Sequence, residues 1–258
     1  MDIVTCIKRV PDTSDADIII DASQREIEGD TLAFKINDWD EYALETAVQL
    51  KETLGGSLTA VTVGPKEWDD VLRRALAMGA DKAIRVDEDM ITADSYMVAG
   101  ILESLLRSLS YDLVLFGAQS EDFGSGQLGI MVAEMLGVPH VSLVVSLQVQ
   151  DGIARVKREL EAGALESYTI ELPAVLTVQT GINRPRYISL SGIKRAMTKE
   201  LQVLSLSGLS LSQEMLAPMV RLERLETPPT GKKAEFISGS PEESAEQLAK
   251  ILQNSGVF

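Results

Sequence analysis

The chain has 258 residues, 45% of them hydrophobic, enough for one large α/β domain with appendages and a full core. Its formal net charge of −15 would repel phosphodiester backbones and anionic lipid, which argues against nucleic-acid and membrane-surface binding. A single cysteine, Cys6, rules out an internal disulfide, and a single histidine, His140, leaves no cluster for zinc and no Ser/His pair.

The start, Met1-Asp2-Ile3-Val4, lacks a basic segment leading into a long apolar run, and no stretch of about 18 apolar residues occurs. A soluble, cytoplasmic protein without membrane insertion is expected. Ile3 to Ile7 is an apolar run closed by Lys8-Arg9 and Pro11-Asp12, as a buried first strand would be. A long loop follows, passing Asp17 and a hairpin candidate with arms Ile18 to Ile20 and Glu26 to Glu28, and ending near Phe34. Asn37 is placed to cap a helix with Asp38, Asp40 and Glu41 in its first turn and an apolar stripe of Trp39, Ala43, Ala47, Leu50 and Leu54. Gly55-Gly56 ends it.

Ser57 to Val63 reads as the second strand, Gly64-Pro65 as a turn, and Trp68, Val71, Leu72, Ala75 and Leu76 as the face of a second helix. Lys82 to Val86 is a third strand, Thr92 or Asp94 caps a helix to about Leu109, and Asp112 to Phe116 is a fourth strand. Short apolar strands alternating with amphipathic helices imply a parallel, Rossmann-like sheet covered on both faces, whose ligands bind beyond the carboxyl ends of the strands. After Pro139 the pattern changes. His140 to Gln150, Ile153 to Leu160, Ala164 to Leu172 and Ala174 to Thr180 are extended, and Asp151-Gly152 makes a hairpin turn, so an antiparallel extension is expected from about 140. Ser191 to Lys199 is a short helix candidate. From Glu200 on, apolar pieces broken by Ser, Gly and Pro, including Pro228-Pro229-Thr230-Gly231, precede one helix, Pro241 to Gln253; such a segment is expected to fold against something else.

The most ligand-like stretch is Gly117 to Gly129, which leaves the fourth strand and enters a helix lasting to about Leu136. Gly124, Gly126 and Gly129 match G-x-G-x-x-G, a spacing that lets backbone N–H groups approach a phosphate at a helix N-terminus. It follows the fourth strand instead of the first, and no well-placed acid ends the next strand, which counts against an ordinary dinucleotide site; a phosphate-binding loop and a plain strand-to-helix turn remain open. Lys8-Arg9, Arg184 and Arg186 are solvated charges or contacts to phosphate or a partner carboxylate. Cys6 reads as a core thiol. No carboxylate pair stands out as an acid/base couple, so the residues by themselves describe a nucleotide-sized crevice without catalytic machinery.

Six pieces in order carry a family resemblance: Ile7-Lys8-Arg9-Val10-Pro11-Asp12, Ile36-Asn37-Asp38-Trp39-Asp40, Ala75-Leu76-Ala77-Met78-Gly79-Ala80-Asp81, the Gly117 to Gly129 loop, Arg158-Glu159-Leu160-Glu161-Ala162-Gly163, and Leu172-Pro173-Ala174-Val175 through Gly181-Ile182-Asn183-Arg184-Pro185-Arg186-Tyr187 to Leu190. Over essentially its whole length the chain resembles the β subunit of electron transfer flavoprotein, and the Asp-Trp after Asn37 is most similar to the methylotroph-type members. The resemblance implies a non-enzymatic electron carrier, a heterodimer whose α subunit holds most of the FAD contacts. The FAD shuttles electrons from a partner flavin dehydrogenase, acting on acyl-CoA, amines or similar, to a downstream acceptor.

By position, the resemblance places a structural AMP against Cys6, Asn37, Asp38, Trp39, Asp40, Val63 and Asp122, Gly124, Ser125, Gly126, Gln127, Leu128, Gly129 and Ile130. It makes Tyr187, Ile188, Ser189, Leu190, Ser191, Gly192, Ile193, Lys194, Arg195 and Ala196 a partner-recognition segment with Leu190 at its tip, and puts Trp39, Glu159 and Arg186 near the α subunit and its flavin. The implied organisation is a nucleotide-binding domain over 1–185, the recognition loop and short helix over 186–199, and a C-terminal arm on the α subunit over 200–258. Two departures stand out: Thr13 replaces a tyrosine that some relatives place near the flavin, and the lysine-rich run after the recognition loop is thinned to Lys194, Arg195 and Lys199. A bifurcating subgroup binds a second FAD in place of AMP through a loop reading Asp-Gly-Asp-Thr-Ala-Gln-Val-Gly, where this chain has Glu121 to Gly129. The alternative from another class is a stand-alone adenine-nucleotide-binding protein or hydrolase, for which the chain lacks a Walker A sequence.

Overall fold

The structure is a computed structural model that describes residues 1–14, 16, 18–29, 32–89, 93–228, 231 and 234–256. Asp17, the candidate cap Thr92 and the Pro229-Thr230 step lie outside the described residues. Residues Met1–Leu225 form one unit and Glu226–Phe258 another.

In the first unit β1 (Asp2–Cys6) is followed by a ribbon of β2 (Arg9–Pro11) and β3 (Phe34–Ile36), then α1 (Asp38–Leu54), β4 (Ser57–Val63), α2 (Asp69–Met78), β5 (Lys82–Asp87), α3 (Ser95–Arg107), β6 (Leu113–Gly117) and α4 (Leu128–Leu136). Next come β7 (His140–Gln150), β8 (Ile153–Glu159), β9 (Leu165–Glu171), β10 (Ala174–Val178), α5 (Leu190–Ala196) and β11 (Leu201–Ser205). The second unit holds α6 (Pro241–Asn254), which starts in a capping box formed by Ser240 and Glu243.

Among the described residues the main sheet has nine strands in the order β11-β5-β4-β1-β6-β10-β7-β8-β9. It is parallel from β11 to β7 and antiparallel across β8 and β9. Because side chains alternate along a strand, Ile3, Leu113 and Leu115 enter the core under α1 and α2, while Val4, Val114 and Phe116 enter the core under α3 and α4. Both faces are therefore covered, which is why these strands read as unbroken apolar runs.

The α/β alternation up to β6 follows the sequence closely, and the antiparallel extension is present as β8 and β9. Four features differ from the local reading. The strand β10 is not a further antiparallel arm: it inserts between β6 and β7, parallel to both, and each of its five residues is buried. The segment after Glu200 returns to the sheet as β11, parallel to β5 at the edge. Among the described residues the hairpin candidate is bridged at Ile20 and Ile27, and the β2–β3 ribbon around it carries no periodic signal in its short arms. On α1 the buried face is Asp40, Ala43, Leu44, Ala47 and Val48, whereas Leu54 is exposed.

Candidate functional site

The chain runs from β1 outward to β4 and β5, then crosses to β6 on the other side of β1, so the winding reverses between β1 and β6. At such a point the loops leaving the two strands diverge and open a crevice at their carboxyl ends. Cys6, Val63 and Gly117 end the three strands there.

The N-terminus of α1 fills the floor. Asp40 is 7% exposed. Its Oδ2 accepts the Lys8 N–H at 2.8 Å and its Oδ1 accepts the Gly117 N–H at 3.0 Å, joining the residues just past β1 to the last residue of β6. Burial pushes the Asp40 carboxyl up to about 7, against the opposing pull of the Lys8 and Gly117 N–H groups. The approach is tight: a Cβ on Gly117 would overlap Asp40 Oδ1 and lie 2.7 Å from Trp39 Cβ.

Asn37 precedes the helix as expected of a cap, but its side chain makes no cap bond. Its Nδ2 instead donates to the Gln119 carbonyl at 2.8 Å and its Oδ1 accepts the Glu121 N–H at 3.0 Å, so it holds the loop after β6. Lys8 pairs with Asp122 at 2.5 Å and lies over the Phe123 ring, and Lys35 pairs with Asp38 at 2.7 Å and Glu121 at 3.1 Å. Gly124 and Gly126 have φ of +60° and +61°, left-handed conformations that side chains disfavour. Gly129 has a different task, because a Cβ there would sit 2.6 Å from Thr177 Cγ2; its absence lets α4 press onto the sheet. The loop then enters α4 at Gln127, whose side chain leaves the helix start uncapped. Ser125 Oγ lies 3.3 Å from Ser95 Oγ at the start of α3.

Cys6 is buried, and burial followed by the Asp40 charge pushes its thiol well up, so it is a packed thiol and no nucleophile. His140 is exposed and begins β7. Among the described residues no group of three His, Cys, Asp or Glu side chains could hold a metal, and no helix is long and apolar enough to cross a membrane.

The second group of candidate residues lies along α1. Trp39 Nε1 donates to Gln179 Oε1 at 2.7 Å, and Asn183 Nδ2 donates to the Tyr42 carbonyl and to Thr46 Oγ1. Arg186 forks between Glu52 and the buried Glu45, which together hold its guanidinium well above the ordinary range. Beyond this anchor Tyr187 is 94% and Leu190 81% exposed, and Ser189 caps α5 by accepting the Gly192 N–H. Gly192 and Ala196 pack on α2, and Arg73 donates to the Ala196 and Lys199 carbonyls. A hollow of about 340 Å³ opens beneath α5, lined by Phe34, Val71, Ala77, Ile188, Ile193 and Met197 among others. Glu159 ends β8 exposed, beside Arg158, which stands opposite Glu166 on β9.

The structure thus brings Cys6, Asn37 to Asp40, Gly117 and the 119–129 loop to one crevice, and places Tyr187 to Ala196 on a separate face. Lys8, Glu45 and Gln179 were not singled out for these contacts by sequence. Glu45 looks like one more acid of a polar helix face, and its partner lies 141 residues away.

The fold and crevice define a doubly wound, Rossmann-like α/β protein. The electron transfer flavoprotein domain family matches residues 27–209. The chain is 36% identical over 256 residues to the electron transfer flavoprotein subunit beta of Bacillus subtilis, covering 98% of each, and 39% identical over 236 residues to that of Methylophilus methylotrophus, covering 88% of each. It is also 32% identical over 246 residues, 93% of each chain, to the caffeyl-CoA reductase-Etf complex subunit CarD of Acetobacterium woodii. This chain belongs to the electron transfer flavoprotein family and is a β-subunit member of it.

Proposed function

We propose that the chain pairs with a flavin-bearing α subunit, holds a structural AMP in its own crevice, and docks a flavin dehydrogenase through the segment around Leu190. In this reading the chain carries out no chemistry itself. It positions the FAD of its partner for electron transfer from the dehydrogenase to a downstream acceptor. The observation that carries the nucleotide assignment is the loop of left-handed Gly124 and Gly126 opening on the uncapped start of α4 at the winding reversal. Uncapped N–H groups at a helix start favour an anionic ligand, and close backbone approach requires the glycines. Cys6, Val63, Asn37 to Asp40 and Asp122 to Ile130 would surround it, with Lys8 offsetting the charge of Asp122.

The docking assignment is supported by the exposure of Leu190 on a segment whose root is fixed by Arg186. One exposed apolar side chain on a rigid base can act as an anchor in a small interface. Trp39, Glu159 and Arg186 are assigned to the side facing the α subunit, and, of the region after Glu200, the second unit with the exposed Leu248 and Ile251 of α6 is assigned to an arm on that subunit. The test is the composition of the purified complex by native mass spectrometry. An α-type flavoprotein with one FAD and one AMP per heterodimer is expected. Two FAD and no AMP would replace this reading with the bifurcating arrangement, and ATP turnover by the isolated chain would replace it with a nucleotide hydrolase.

A further inference from the structure

Asp40 has two properties that do not fit a residue that grips a ligand. It is almost wholly buried, and each of its oxygens is already engaged by a backbone N–H, one from either side of the winding reversal. Its neighbours leave no slack, since Gly117 cannot carry a Cβ without overlapping the carboxylate. Asn37 holds the loop beyond Gly117 in the same way, through Gln119 and Glu121. We infer that Asp40 is a positioning residue: it staples the ends of β1 and β6 from below, and the crevice binds an adenine nucleotide tightly only while that carboxylate accepts both N–H groups. The inference rests on the nucleotide reading above.

The chemistry gives the staple a pH dependence. An ionised carboxylate only accepts, matching two donors, whereas a protonated one carries an O–H that must face one of those N–H groups or turn away. With Asp40 at about 7, the staple is complete above neutrality and weakens below it. Stability runs the other way. The folded value lies above the ordinary 3.8, so the contribution of Asp40 to stability is full below about pH 4 and is lost as pH rises through about 7. A residue that only supported the fold would move stability and nucleotide affinity together.

The other charged or titratable groups around it are Cys6 and Lys8 on and after β1, Lys35 on β3, Asp38 on α1, and Glu121 and Asp122 on the loop after β6. Lys8 pairs with Asp122 and Lys35 with Asp38 and Glu121, the Cys6 thiol is pushed further from neutrality, and burial moves Glu121 upward. His140 begins β7, which is parallel to β10 and β6, and so lies at the opposite end of the sheet.

The experiment uses the full chain with its flavin-bearing partner, stripped of nucleotide, and the methyl ester of AMP, a phosphodiester with no second ionisation to confuse the titration. Calorimetry at pH 6 and pH 8 is expected to show affinity about tenfold weaker at pH 6 for the natural protein. Asp40→Asn, which offers one acceptor to two donors, is expected to bind more weakly at pH 8 with a flat profile. Melting of the natural nucleotide-free complex, which needs no variant, is expected to show the Asp40 contribution declining over the interval in which affinity rises. Equal affinity of the natural protein and Asp40→Asn for the probe at pH 8 would overturn the positioning role and leave the nucleotide reading in place. Absence of binding by both this probe and AMP at either pH would overturn both.

Discussion

The crevice and the Leu190 segment are both attached to α1, yet they are built on opposite principles. At the crevice, buried polar side chains fix the backbone, Asp40 taking Lys8 and Gly117 and Asn37 taking Glu121 and giving to Gln119, while the start of α4 is left without a side-chain cap. At the proposed docking face, apolar groups are exposed, with Leu190 and Ile193 on a seven-residue helix and Tyr187 and Met197 flanking it, and the polar work is done at the root by Arg186 and Asn183. A small ligand is selected by fixed donors and acceptors in a site already in place, whereas a protein partner covers apolar surface. In the proposed reading one helix serves both: α1 presents its N-terminus to the crevice and a buried acid, Glu45, to the root of the segment.

The largest way to break the crevice without touching the docking face is Gly117→Val. Its side chain would overlap Asp40 and Trp39, and forced overpacking costs about 3 kcal/mol. The expected outcome is a lower urea midpoint and loss of bound nucleotide in the purified complex.

Glu45→Ala attacks the other end of α1. It removes one of the two acids on Arg186; because the arginine is partly exposed and keeps Glu52, the expected loss is about 2 kcal/mol, below that of a fully buried pair. Hydrogen exchange over 184–197 should quicken while nucleotide content stays constant, and loss of nucleotide would show that the two regions are not separable through this helix.

Leu190→Ala should leave stability within about 0.5 kcal/mol, since the side chain has little to pack against. Reduction of the complex by its dehydrogenase, followed by stopped-flow flavin absorbance, should slow about tenfold, the scale of one lost interface anchor. Unchanged kinetics would remove Leu190 from the docking role.

The smallest effect lies in the second unit. Ser240→Ala removes the capping box of α6 and should cost about 1 kcal/mol of helix stability, visible as faster amide exchange in its first turn and nowhere in the crevice.

Much of the frame was legible in the sequence because it is set by local pattern. Ser57–Val63 and His140–Gln150 have the bounds their composition suggests, and Gly55 and Asp94 mark helix ends by chemistry that acts within a few residues. The apolar stripe of α1 reads through Trp39, Leu50 and Leu54 because they look apolar, whereas the helix buries Ala43, Leu44, Ala47 and Val48 and leaves Leu54 exposed.

By itself, the sequence determined the α/β class, the glycine loop after β6 and the family. Those follow from periodicity, from φ constraints that only glycine tolerates without strain, and from motif order. Tertiary structure alone decided that β10 lies inside the sheet, that β11 closes its edge, and that Asp40 and Asn37 serve loops some eighty residues away. Strand order and buried hydrogen bonds depend on which distant segments meet, and a buried Asp carries the same letter as a solvated one.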